Sequence, residues 1–210
     1  AKLQNGMAIL LSFVILMIPQ IGFLGNRAFR LRFENGRVIM IKTEVNEMSI
    51  AGIFAYLARA CAFAAAVSGL WWLVRRILKR KTRALDLLAV AYVAAVTEII
   101  ALRIATPSVA RGVQWIPLKT TIGEWSRGAW AFVYHVGGNL AWFVPLGALI
   151  QLKKPNWSAL RAFAIGTGFS ALLEMMQYLL STGMTDVDDV ILNAIGALLG
   201  AAAVKILRHK

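Results

Sequence analysis

Six stretches of this chain, 7–24, 50–74, 85–105, 129–152, 159–180 and 187–207, are each apolar for about 18 residues or more, long enough for a helix to cross a bilayer once. In lipid the backbone must satisfy its own hydrogen bonds, so such stretches fold as helices. With 59% of residues hydrophobic and only 16% charged, no polar segment is left that could form a separate water-soluble domain. The expected class is therefore all-α: a polytopic integral membrane helical bundle of about six transmembrane helices, forming a single membrane domain over 1–210. The first stretch follows Lys2, has no A-x-A cleavage site and continues through Pro19-Gln20-Ile21-Gly22, so it reads as a retained anchor.

Charge sets the expected orientation. A net charge of +13 would suggest nucleic acid in a soluble chain, but here the cations sit in short runs between apolar blocks, the pattern of a protein facing anionic lipid. With the amino terminus inside, the inner segments hold Lys2, the run Arg75–Arg83, Lys153, Lys154, Arg161, Lys205, Arg208 and Lys210. These outnumber the outer cations Arg27, Arg30, Arg32, Arg37, Lys42, Arg111, Lys119 and Arg127, which places both termini in the cytoplasm of a plasma (inner) membrane. The run Arg75–Arg83 then anchors topology and lipid head groups, and no nucleic-acid partner is expected.

Two outer loops have character of their own. Asn35-Gly36, the favoured type I′ turn, separates Arg30–Glu34 from Arg37–Lys42 and predicts a short extracytoplasmic β-hairpin. The 106–128 loop carries Gln114-Trp115-Ile116-Pro117-Leu118, and with Trp115, Trp125 and Trp130 it reads either as an interfacial aromatic belt or as a re-entrant turn at Pro117.

Ionisable and amide side chains inside the spans are the candidate functional residues, because each is costly in lipid unless paired or wet. Helical rise places His135, Glu174 and Asn193 about 9 Å below the outer surface, Asn139 about 15 Å, Gln177 about 5 Å and Asp189 about 3 Å. Arg59 and Glu98 fall about 14 and 10 Å deep. Spacings of three and four put His135 with Asn139, Glu174 with Gln177, and Asp186 with Asp189 and Asn193 on single helix faces. The expectation is an outward-opening polar cleft between spans four, five and six, with Arg59 and Glu98 at its side. Gly196 and Gly200, on the same side as Asp189 and Asn193, and the Gly166/Ser170 pair predict close helix packing there, and Gly137-Gly138 and Pro145 allow span four to bend or approach closely.

The order of these residues resembles the VanZ-like family of small bacterial membrane proteins. The resemblance rests on Gly138-Asn139-Leu140, Phe143-Val144-Pro145-Leu146-Gly147, Glu174 and Gln177, Asp186-Val187-Asp188-Asp189-Val190, and Asn193 with Gly196–Gly200, within a core of about 85–207. Where the family usually has an arginine before the acidic turn, this chain has Thr182-Gly183-Met184-Thr185, and its Asn-x-x-Pro-Phe loop motif stands as Gln114–Leu118. Arg59 or Arg103 would then replace that cation. The resemblance implies a cell-envelope role, with the family's namesake linked to teicoplanin resistance.

Two uses of the cleft are expected. In one, it binds a lipid-linked or cell-wall-related ligand, such as a precursor or a glycopeptide, through Asn139, Gln177, Asp186, Asn193, His135 and Arg59, with membrane lipids as the other partners. In the other, a membrane enzyme uses Glu174 as general acid or base with Asp189 as a second carboxylate. The same polar groups could instead only join helices, or form a proton path. Cys61 lacks any nucleophile signature, and one histidine in the spans leaves zinc without a ligand set, so no cofactor is expected. Oxygen-ligated magnesium or calcium remains a metal option.

Overall fold

The structure, a computed structural model, describes residues 29–34, 37–42, 50–102 and 112–209. The chain divides by its contacts into two units, Ala1–Ala58 and Arg59–Lys210. In the first, strands β1 (Phe29–Glu34) and β2 (Arg37–Lys42) pair antiparallel, from Phe29 opposite Lys42 to Glu34 opposite Arg37. The Asn35-Gly36 turn expected between them and the first expected span, 7–24, lie outside the described residues.

Helix α1 (Ile50–Ile77) starts in the first unit and runs into the second. There follow α2 (Ala84–Thr97), which widens into a π-helical turn over Glu98–Leu102, then α3 (Lys119–Arg127), α4 (Ala129–Lys153), α5 (Ala159–Leu180) and α6 (Val187–His209). Five segments among the described residues are long and apolar enough to cross a membrane: Phe54–Ile77, Ala84–Leu102, Ala129–Lys153, Ala159–Leu180 and Val187–Arg208. They match the second to sixth expected spans within a few residues. The loop after the third span holds a helix that hydropathy does not reveal. None of α3's residues is buried, and Ile116, Leu118, Ile122 and Trp125 on and beside it stand exposed.

The helices associate through small residues, as they must where lipid supplies no hydrophobic drive for helix pairing. A methyl group on Gly147 would lie 1.9 Å from the Ala197 carbonyl oxygen, and one on Gly200 would lie 1.9 Å from that of Val144. At Gly196 the nearest atom would be the Leu140 oxygen at 2.5 Å. Helices α4 and α6 therefore touch backbone to backbone. Gly166 gives α5 the same access to α6, where an added Cβ would meet that of Ala197 at 2.6 Å. Phe143, Leu146, Leu173, Ala197, Val96 and Ala101 form the buried core around this contact. Pro145 is buried within α4, which continues through it to Lys153.

The end of the bundle away from the polar clusters is tied by Lys153 to Asp86, 2.7 Å apart. Buried Gln151 donates to the carbonyls of Pro155 and Trp157 at 2.9 and 3.1 Å, closing the α4–α5 turn. Guanidinium groups of Arg75 and Arg76 lie over Trp71 and Trp72, so aromatic rings and cations share this level.

Gly147→Ala should overpack the α4–α6 contact and cost about 1–3 kcal/mol, read as a lowered midpoint of thermal unfolding in detergent. Gly137→Ala, where an added Cβ meets nothing within 4 Å, should leave that midpoint unchanged or raise it. Equal effects at the two sites would show that the close approach does not hold the bundle.

Candidate functional site

The polar clusters gather where α3, the start of α4, the end of α5 and the start of α6 meet. Val113 and Gln114 (β3) run parallel to Thr185 and Asp186 (β4), and the Thr185 amide donates to the Gly112 carbonyl at 3.0 Å. Gln114 closes the next turn on itself. Its amide nitrogen donates to the Ile116 carbonyl at 2.6 Å and its Oε1 accepts the Ile116 amide at 2.9 Å. The chain then passes Pro117 into Leu118, which takes a left-handed conformation at φ 64° and precedes α3 with no side-chain cap of its own.

A helix that begins without a cap leaves amide groups needing acceptors. Asp188 of α6 supplies them from across the chain. Its Oδ1 accepts the Leu118 amide, and its Oδ2 accepts the Thr121 amide at 2.8 Å and the Thr121 hydroxyl at 2.9 Å. Asp186, the residue before α6, accepts the Asp188 amide at 2.9 Å as an N-cap does, and its other oxygen accepts the Thr120 hydroxyl. Glu174 on α5 accepts the Asp186 amide at 2.8 Å, while the Thr185 hydroxyl donates to the Glu174 carbonyl at 3.0 Å. Three buried carboxylates, Glu174, Asp186 and Asp188, thus build one continuous series from α5 through α6 to α3.

Asp189, the next residue, has a different setting. Its side chain is 28% exposed, against 3% for Glu174, 4% for Asp186 and 1% for Asp188 as whole residues. Its Oδ1 accepts the Asn139 amide at 2.8 Å and lies 3.8 Å from His135 Nδ1. The other ring nitrogen of His135 is 3.4 Å from the Thr121 hydroxyl, and Asn139 also donates to the His135 carbonyl at 3.1 Å. His135, Asn139, Asp189 and Thr121 therefore form one half-buried polar cluster, the notch, in which Asp189 is the most exposed of the four neighbouring acids. An imidazole between a carboxylate and a hydroxyl can bind polar groups or transfer protons.

The other expected site residues lie apart from this notch in separate pairs. Asn193 donates to the Ser170 hydroxyl at 2.8 Å, with Asn193 Oδ1 buried and without a partner among the described residues. Gln177 donates to the Ile100 carbonyl at 2.8 Å, and Thr182 to that of Ala101 at 2.6 Å. Both carbonyls belong to the π-helical turn. Arg59 Nε pairs with Glu98 at 3.0 Å. Cys61 is exposed on α1, and among the described residues no three His, Cys, Asp or Glu gather in a metal-binding arrangement.

Depths counted from the helix starts do not predict these meetings. Asn139 in the third turn of α4 meets Asp189 in the first turn of α6, because α4 starts further out than α6. Sequence reasoning names Asp188 only within the motif of the resemblance, with no site role, and leaves out Thr120 and Thr121. Asp188 is off the stripe of Asp186, Asp189 and Asn193, and no periodicity marks it, because the helix start it caps, that of α3, is itself not visible to hydropathy.

The sequence profile of the family described as VanZ/LLP1 matches residues 87–208. The chain belongs to the VanZ/LLP1 family. No curated protein and no solved structure matches it. The VanZ/LLP1 match contains the notch, the carboxylate series and the π-helical turn, while Arg59 lies before it. At the place where the resemblance leads one to expect arginine, Thr182 and Thr185 donate to the Ala101 and Glu174 carbonyls. Arg59 holds Glu98, and Arg103 lies outside the described residues.

Asp188→Ala should free the amides at Leu118 and Thr121 and cost about 1–3 kcal/mol. Hydrogen exchange resolved to peptides should quicken at 118–121 and stay slow in the middle of α6. Unchanged exchange at 118–121 would mean that α3 is held by other contacts.

Proposed function

We propose that this VanZ/LLP1 protein lies in the bacterial plasma membrane with both termini cytoplasmic and the notch facing outward, and that it binds the polar part of a lipid-linked or cell-wall-related ligand there. The observation that carries the reading is the contrast among neighbouring carboxylates: Glu174, Asp186 and Asp188 are buried and engaged, while Asp189 is 28% exposed beside His135 and Asn139. A carboxylate on the first turn of a membrane helix costs free energy to keep there, and one left within reach of solvent supports a ligand-binding role. In this reading Glu174, Asp186 and Asp188 are positioning residues that hold α3 and Thr121 against the notch, and Asn139, His135 and Asp189 contact the ligand.

A glycopeptide of the teicoplanin type is the ligand that the family resemblance makes testable. Expression of the native chain in a teicoplanin-susceptible host should raise the inhibitory concentration. Asp189→Asn should return it to the level of the empty vector, at equal protein in the membrane, whereas exposed Lys119→Ala should keep it raised. Full protection by Asp189→Asn would overturn the assignment of the notch.

The second reading, an enzyme acting on a lipid-linked envelope substrate, is favoured by the placing of His135 between Asp189 and the Thr121 hydroxyl. His135 with Asp189 then does the acid–base work, because Glu174 Oε2 already accepts the Asp186 amide. The two readings separate on the mass of what is recovered. A binder returns teicoplanin and the envelope lipids intact, whereas an enzyme leaves a product whose formation stops in His135→Gln.

A further inference from the structure

We infer a second ligand site away from the notch: the groove between α1 and α2 holds the acyl chain of a phospholipid, and the Arg59–Glu98 pair at its end takes a head group bearing both a phosphate and a primary ammonium. The groove is lined almost wholly by apolar side chains, with Phe63 and Val67 on α1 facing Ala89, Val90, Val93 and Ala94 on α2. Thr97 lines it as well, next to Glu98 in the chain. Arg59, Phe63 and Val67 fall at intervals of four on one helix, and Val90, Ala94 and Glu98 do so on the other. The 3.0 Å contact of Arg59 Nε with Glu98 Oε1 joins the two stripes, so the ion pair lies one helical turn beyond Phe63 and Ala94 at one end of the groove. From Ala89 to Thr97 the helix rises roughly 12 Å, comparable to most of a fatty acyl chain.

The polar end is built and incomplete. Glu98 is fully buried, at 0% exposure, yet its Oε2 has no partner among the described residues. A buried carboxylate oxygen is costly without a donor. The Arg59 side chain is 30% exposed, so its charge is reachable from the lipid side. Charge complementarity then selects the head group. One bearing only negative charge is drawn to Arg59 and repelled by Glu98, and one bearing only positive charge meets the reverse. A phosphate beside an ammonium opposes each side chain with its own counter-charge. A quaternary ammonium has no N–H for Glu98 Oε2, whereas a primary ammonium has three. The site therefore fits a phosphoethanolamine head group and discriminates against phosphocholine and phosphoglycerol.

The experiment uses the full chain, purified in detergent, stripped of lipid and offered palmitoyl-oleoyl phosphatidylethanolamine, phosphatidylcholine and phosphatidylglycerol in equal amounts, with bound lipid counted by native mass spectrometry. The ethanolamine lipid should be retained on the order of tenfold over the choline lipid, the worth of one charge-assisted hydrogen bond. In the native chain, N-methylated ethanolamine lipids should keep their retention while an N–H remains and lose it at the trimethyl stage. Glu98→Gln should erase the preference, and Val90→Trp, which fills the groove, should lower retention of all three lipids. Equal retention of the three lipids by the native chain would overturn the inference, as would retention that is indifferent to N-methylation or unchanged in Val90→Trp. The notch variant Asp189→Asn should leave lipid preference as it is, so the two sites succeed or fail separately.

Discussion

The backbone contact between α4 and α6 is the constraint from which the polar end follows. Gly196 lies against Leu140, and Gly200 against Val144, at distances that leave no room for a Cβ. Asn139 adjoins Leu140 on α4 while Asp189 lies about two turns before Gly196 on α6, and His135 and Asn139 meet Asp189 at the polar end of this contact. The Asn139–Asp189 hydrogen bond is therefore the polar continuation of a glycine-mediated contact. A bundle without those glycines would hold the same side chains too far apart to bond.

Glu174, Asp186 and Asp188 are buried away from solvent, and that decides what these acids can be used for. All three serve helix ends and turns. Asp186 begins α6, Asp188 begins α3 from a distance, and Glu174 fixes the turn between α5 and α6. Their series ends at Thr121, whose hydroxyl is both an Asp188 donor and a neighbour of His135. The buried carboxylates thus set one wall of the notch without entering it. Asp188 holds Thr121 of the notch directly, and Asp186 and Glu174 act on it through Asp188.

Much of this was legible from sequence where a single periodicity governs the outcome. Hydropathy located the helices Ala129–Lys153, Ala159–Leu180 and Val187–His209 almost to their ends, since length and apolarity alone define a span. The spacing of Gly196 and Gly200 marked the packing face, and the i,i+4 pair His135 and Asn139 marked the polar stripe opposite it. The partition of the carboxylates was not legible. Asp186, Asp188 and Asp189 differ in role because α3 and the 112–118 segment fold back over them, and α3 is short, polar and invisible to hydropathy. A cleft shared by all the polar residues was expected, and the structure divides them among a notch, a buried series and three separate pairs.

Polar atoms left without partners show where such a chain is not sufficient to itself. In the described residues these include Glu98 Oε2, Asn193 Oδ1 and Gln151 Oε1, all on buried side chains. Gln151 sits at the α4–α5 turn beside Pro155 and Trp157, close to where the span ends and head-group water is near. Glu98 follows the last residue of α2 and Asn193 lies in the second turn of α6, and each is next to a place where the packing opens or turns polar. Asn193 is one turn below Asp189, and Glu98 begins the π-helical turn and borders the α1–α2 groove. Gln177 and Thr182 donate to carbonyls of this turn, while Glu98 Oε2 has no partner among the described residues. The geometry that secures the backbone at this turn leaves an acid oxygen unsatisfied, which is the condition under which a bound donor gains most.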